Sequence, residues 1–151
     1  NKDKTKLYIG TTGAPFGIFE FDPATGEMKK IAGTNDRPTS AENTTDGEPG
    51  NPLTATIGQI EGMAVDAEGN LWFSDVTTAT VRVLVPGKGG DYSKGTVKTR
   101  AGMNFVSKYP GVDGLGTNAG LKYPCGLLPM PDGSMLLADG TGFTIRRIYS
   151  K

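Results

Sequence analysis

The sequence predicts an all-β protein built from repeated antiparallel sheets. Three observations predict it. First, residues 62–82, GMAVDAEGNLWFSDVTTATVR, recur without a gap at residues 126–146, GLLPMPDGSMLLADGTGFTIR, an offset of 64 that sets Gly62 on Gly126. Gly62, Gly69, Asp75, Thr77, Thr80 and Arg82 meet Gly126, Gly133, Asp139, Thr141, Thr144 and Arg146. Second, the repeat divides into short apolar, β-branched or aromatic runs, which read as strands. Third, the 23 glycines and 10 prolines punctuate these runs and do not form low-complexity tracts. Self-similarity at a fixed period marks a repeat architecture.

The elements follow in order. Residues 7–10, LYIG, align with residues 71–74 at the same offset. The chain therefore enters its first unit at that unit's second strand. Residues 17–21 read as the third strand and 28–32 as the fourth, with DPATG at 22–26 as the turn, Pro early and Gly late. Residues 34–58 form a long polar connection, a length typical of functional or flexible segments. The central unit is complete over 60–102, with strands at 62–66, 71–74, 80–85 and 96–101. A second connection spans 103–124, in which Asp113-Gly114 plays the part of Asp46-Gly47. The last unit supplies strands at 126–130, 135–139 and 144–149, without a fourth. Four antiparallel strands per unit, repeated, form the blade of a β-propeller.

The pattern resembles the NHL repeat family of propellers. Its marks are a glycine, an apolar inner strand, a D/E-G turn, an apolar strand ending in Asp75 or Asp139, and a strand opening with [VI]-R at Arg82 and Arg146. DGLGTNA at 113–119 and YPCG at 123–126 look like the family's connection between blades. The resemblance implies an all-β propeller, six-bladed when complete. This chain supplies about two and a half blades: 7–33 incomplete, 60–102 complete and 125–151 incomplete. A propeller closes with about four to eight blades, and each repeat needs neighbours to bury its core. The expected partner is the remaining half of the propeller, as a separate or nicked chain, or further copies of this chain. The N-terminal residue is Asn, not Met, so the chain looks trimmed and says nothing of a leader.

Composition narrows the function. Sixteen basic and sixteen acidic residues balance to zero, so the basic excess of a nucleic-acid surface is absent. No apolar run approaches the roughly 18–20 residues needed to span a bilayer. The absence of histidine removes Ser-His-Asp and Cys-His catalysis from this segment. It also removes a histidine zinc site. The single Cys125 reads as a small buried hydrophobe.

Candidate site residues are few. Asp75 with Arg82 and Asp139 with Arg146 are seven apart and recur per unit, which suits a structural ion pair or a turn-capping carboxylate more than a rim site. Glu61, Asp66 and Glu68 suggest a carboxylate cluster, with Glu61 at the channel mouth. Glu61, Asp113 and Asn118 are the candidate metal ligands, and oxygen ligands of this kind suit Ca²⁺. No cofactor is otherwise expected. Trp72 and Phe73 point to opposite faces of one strand and read as core. Tyr92, Phe105, Tyr109 and Tyr123 lie on or near connections, either stacking on a ligand or pinning the loops. The resemblance is nearest to bacterial surface proteins in which an Ig-like IPT/TIG domain precedes an NHL propeller. It implies a non-enzymatic extracellular or cell-envelope module that displays loops to a glycan or protein. Two alternatives stand beside it: a lactonase- or lyase-like hydrolase with a cation in the channel, and a purely structural half-propeller that self-assembles. A fold alone does not choose among these.

Overall fold

The computed structural model describes residues 5–105, 114 and 116–149. Three antiparallel sheets follow one another along the chain. The first is β1 (Leu7–Gly10), β2 (Phe16–Phe21) and β3 (Met28–Asn35). The second is β4 (Ile60–Val65), β5 (Leu71–Asp75), β6 (Thr80–Val85) and β7 (Thr96–Ala101). The third is β8 (Pro124–Pro129), β9 (Met135–Asp139) and β10 (Thr144–Ile148). Each sheet is a meander in which sequential strands pair. Helical structure among the described residues is confined to single 3-10 turns, and no helix is long and apolar enough to cross a membrane.

The hairpins repeat bond by bond. In the turn between β4 and β5, the Asp66 amide donates to Asn70 at 3.0 Å and Gly69 donates to Asp66 at 3.0 Å. Sixty-four residues on, Met130 donates to Ser134 at 2.8 Å and Gly133 to Met130 at 3.0 Å. Gly69 and Gly133 take φ of +88° and +82°, a region where only glycine carries no steric cost. β4 starts two residues before the expected boundary. Ile60 still pairs with Asp75, and a bulge at Glu61 restores the register at Gly62 with Ser74.

The second sheet is buried on both faces. Along β5 the side chains alternate, as a pleated strand requires. Leu71 and Phe73 enter one core with Ile18, Ile31, Ile57, Leu84 and Val97. Trp72 enters the other with Val81, Val83, Leu121, Met135 and Leu137. Trp72 and Phe73 are thus core residues on opposite faces, as the sequence predicts. Each fully buried side chain of this size contributes roughly 1.5–3 kcal/mol. The outer faces of the terminal sheets expose Leu7, Ile9 and Met28 on one side and Leu128, Phe143 and Ile145 on the other.

The recurring Asp and Arg hold the connections. Asp75 is fully buried and accepts amides from Gly58 at 2.8 Å, Thr77 at 3.1 Å and Thr78 at 3.2 Å. Asp139 accepts the amides of Lys122 at 3.0 Å and Tyr123 at 2.6 Å. Both are turn-capping carboxylates. Arg82 is 1% exposed and approaches Asp75 only to 3.8 Å. Its shorter bonds run to Asp46 at 3.1 and 2.8 Å, the Thr56 carbonyl at 2.6 Å and the Thr45 carbonyl at 2.8 Å. Arg146 likewise donates to the Gly120 carbonyl, the repeat equivalent of Thr56.

β4 and β8, from neighbouring sheets, pack against each other. Ser74 donates to the Cys125 carbonyl at 2.7 Å, and a Cβ on Gly62 would fall 1.9 Å from that oxygen. The equivalent position on Gly126 meets nothing nearer than 3.9 Å.

Two outcomes follow from this packing. Asp46→Ala leaves the Arg82 charge buried without its carboxylate. It lowers the unfolding free energy by about 3 kcal/mol, read as a lower urea midpoint at unchanged slope. Gly62→Ala forces β4 and β8 apart at a cost of about 2 kcal/mol or more. Gly126→Ala in this chain changes stability by about 0.5 kcal/mol or less. Thermal melts of the two alanine variants check the contrast.

Candidate functional site

The bulge in β4 builds the site. A bulge leaves one residue unpaired and re-aims its side chain. Here that residue is Glu61, which is exposed where β4 approaches β8. Gln59 precedes it and donates through Nε2 to Glu61 Oε1 at 2.5 Å. From the neighbouring sheet, the Tyr123 hydroxyl donates to the same oxygen at 3.4 Å. Gln59 and Tyr123 occupy the same repeat position in consecutive units, so two copies of one location present an amide and a phenol to one carboxylate. The Glu61 charge raises the Tyr123 hydroxyl above its usual range. The Cys125 thiol, half-buried and not fully buried as expected, donates to the Tyr123 carbonyl at 3.1 Å.

The remaining candidates separate. Asp66 and Glu68 sit in the turn beyond the far end of β4, so they do not share a cluster with Glu61. Partial burial pushes the Asp66 carboxyl up. Bonds from the Trp72 indole at 2.8 Å, from Asn70 and from the Glu68 amide outweigh that and hold it below the usual range. Asn118 lies exposed in a 3-10 turn. Asp113 and Tyr109 lie outside the described residues. Among the described residues, no three His, Cys, Asp or Glu side chains gather as a metal site would need.

Of the two readings of Tyr92, ligand stacking and loop pinning, its burial removes the first. Tyr92 is 3% exposed, packs edge-on to Tyr8 with centroids 5.1 Å apart, and donates its hydroxyl to the Gly69 carbonyl. Burial pushes that hydroxyl up to about 12. Its place is in the core between the first two sheets, pinning the β6–β7 connection to the β4–β5 turn. Phe105 is half-buried, with its amide on the Thr78 carbonyl at 2.7 Å. Of the three described aromatics among those named from the sequence, Tyr123 is the one brought to another candidate, Glu61.

Sequence reasoning missed two residues. Gln59 carried a signal, since it aligns with Tyr123 and flanks Glu61. Asp46 carried one too: Asp-Gly recurs in both connections as Arg recurs in both sheets, and in the first connection Asp46 meets Arg82.

No family model matches the chain, and no curated protein matches it in sequence. Solved structures do. A Bacteroides thetaiotaomicron protein of unknown function superposes with a TM-score of 0.70 at 24% identity, covering 94% of this chain and 32% of that one. An auxiliary nutrient binding protein from Bacteroides ovatus gives 0.65 at 19% identity, covering 96% and 35%. Another, from Bacteroides thetaiotaomicron, gives 0.66 at 18% identity, with the same coverage. The chain spans about a third of the length of these proteins and shares their fold over nearly all of its own.

Proposed function

We propose that the three sheets are consecutive blades of an NHL-type β-propeller, six-bladed when complete, that acts as a non-enzymatic binding module at the cell envelope. Its ligand is a neutral glycan held at Gln59, Glu61 and Tyr123. The observation that carries this reading is the bulge that lifts Glu61 out of β4 beside the phenol of the next sheet. A carboxylate that accepts, an amide that does both and an aromatic ring with a hydroxyl match the paired hydroxyls and apolar face of a sugar. Two structural neighbours are auxiliary nutrient binding proteins, which supports a binding role. Their greater length and the bare apolar faces of the terminal sheets support further blades on both sides.

The test is calorimetric titration of the chain with a panel of neutral mono- and oligosaccharides. Saturable binding is expected, weakened about tenfold by Tyr123→Ala or Glu61→Gln, a loss of about 1.4 kcal/mol. EDTA leaves the affinity unchanged. Affinity lost in EDTA points instead to a cation on Glu61. A panel without a binder, or variants that bind as well as the parent, ends the proposal.

A further inference from the structure

Gln59, whose side chain reaches Glu61, is itself held at both polar atoms of its backbone. Its amide donates to Thr77 Oγ1 at 3.0 Å, and its carbonyl accepts the Val76 amide at 2.9 Å. Both partners belong to the turn between β5 and β6. That turn is fixed in its own right, because the buried Asp75 carboxylate accepts the Thr77 and Thr78 amides at 3.1 and 3.2 Å. The bond to Thr77 depends on Gly58. A Cβ on Gly58 would fall 2.4 Å from Thr77 Cβ and 2.6 Å from its hydroxyl oxygen. A glycine here is what lets the threonine lie against the chain ahead of β4.

The next repeat holds the equivalent residue differently. Tyr123 stands where Gln59 does, and the Gly140 amide reaches its carbonyl at 2.9 Å, as Val76 reaches that of Gln59. The Tyr123 amide, however, goes to the Asp139 carboxylate at 2.6 Å. Lys122 replaces Gly58 and brings the Cβ that Gly58 lacks. Thr141, the counterpart of Thr77, is exposed. The threonine is repeated, but its bond to the chain ahead of the inner strand is peculiar to the second sheet.

We propose that Thr77 is a positioning residue for the group formed by Gln59, Glu61 and Tyr123. Through the Gln59 amide it sets the Gln59 side chain on Glu61 and so aims that carboxylate at Tyr123. The path runs from Thr77 to the Gln59 backbone, from Gln59 Nε2 to Glu61 Oε1 at 2.5 Å, and from that oxygen to the Tyr123 hydroxyl at 3.4 Å. Support of this kind locks the rotamers of the residues that bind. It raises affinity by removing freedom that a ligand would otherwise have to remove. A hydroxyl can accept the amide, and a valine of the same shape cannot. The inference rests on the glycan reading for what the group binds, and not for how the group is held.

The test compares Thr77→Val, Thr77→Ser and Thr141→Val in the isotope-labelled chain by NMR, with saccharide titrations alongside. In Thr77→Val the Gln59 side-chain amide and Tyr123 ring resonances are expected to move, and in Thr77→Ser they return toward the parent. Thr141→Val leaves both in place. Gly58→Ala displaces Thr77 without removing its hydroxyl. It reproduces the Thr77→Val shifts, and it replaces that variant if the valine chain does not fold. The tightest saccharide loses about fivefold in affinity with Thr77→Val, the cost of ordering one long side chain on binding, and regains it with Thr77→Ser. The proposal is overturned if the Gln59 and Tyr123 resonances keep their parental positions in Thr77→Val, if serine does not restore them, or if Thr141→Val moves them as far. Unchanged affinity in a Thr77→Val chain that binds saccharide also overturns it. A chain that binds no saccharide yet shows the expected resonance pattern supports the positioning role and ends the glycan reading alone.

Discussion

The buried guanidinium of Arg82 is the interaction on which the middle of the molecule depends. At 1% exposure its planar fork finds its acceptors within the protein and not in water. Asp46 accepts from Nε and Nη2, the Thr45 carbonyl from Nη2 and the Thr56 carbonyl from Nη1. Its guanidinium carbon stands 5.7 Å from the centroid of the Phe73 ring. Asp46 also accepts the Thr99 amide and hydroxyl, both at 2.8 Å. One cation thereby fastens a connection that has almost no regular structure to β6, and its carboxylate fastens that connection to β7. The long polar segment between the first two sheets is ordered by side-chain bonds where a strand or helix would use its backbone.

With the connection fixed, Ala55 and Ile57 enter the core between the first two sheets, and Asp75 caps the amide that follows them at Gly58. β4 and β8 can then approach until a glycine is needed at position 62. That closeness explains where polar chemistry collects. The strand interiors are committed to packing on both faces, so the bulge ahead of Gly62 is the place where β4 turns a charged side chain outward. The two units diverge at the same place, with Gln59 and Glu61 in one and Tyr123 and Cys125 in the other. The architecture is repeated and this polar group is not.

Strand positions were legible because they rest on local signals: β-branched runs, a glycine at each positive-φ turn, and an offset that keeps Asp75 over Asp139. The opposite placement of Trp72 and Phe73 was legible from the two-residue period alone. What escaped was long-range. Arg82 and Asp46 are 36 residues apart in sequence, and a seven-residue spacing suggested Asp75 as the partner instead. Tyr92 lies in a glycine-rich connection, yet the turn at Gly69 folds over it, which composition cannot register. The bulge at Glu61 was hidden because it inserts a residue into a strand that still reads as regular.

The fastening of each connection has a further meaning for how such a chain grows. Asp46, Thr56, Asp75, Arg82 and Thr99 all lie within one repeat length, and they bind one another more than they bind the adjoining sheets. A duplicated segment therefore carries its own latch, its own capped turn and both halves of the contact that orders its leading loop. Adding a copy demands no invention at the junction beyond an apolar face already present in the parent. Lengthening the array is thus a matter of copying a self-contained cassette, and new specificity needs change only at the few inner-edge positions that the latch leaves free.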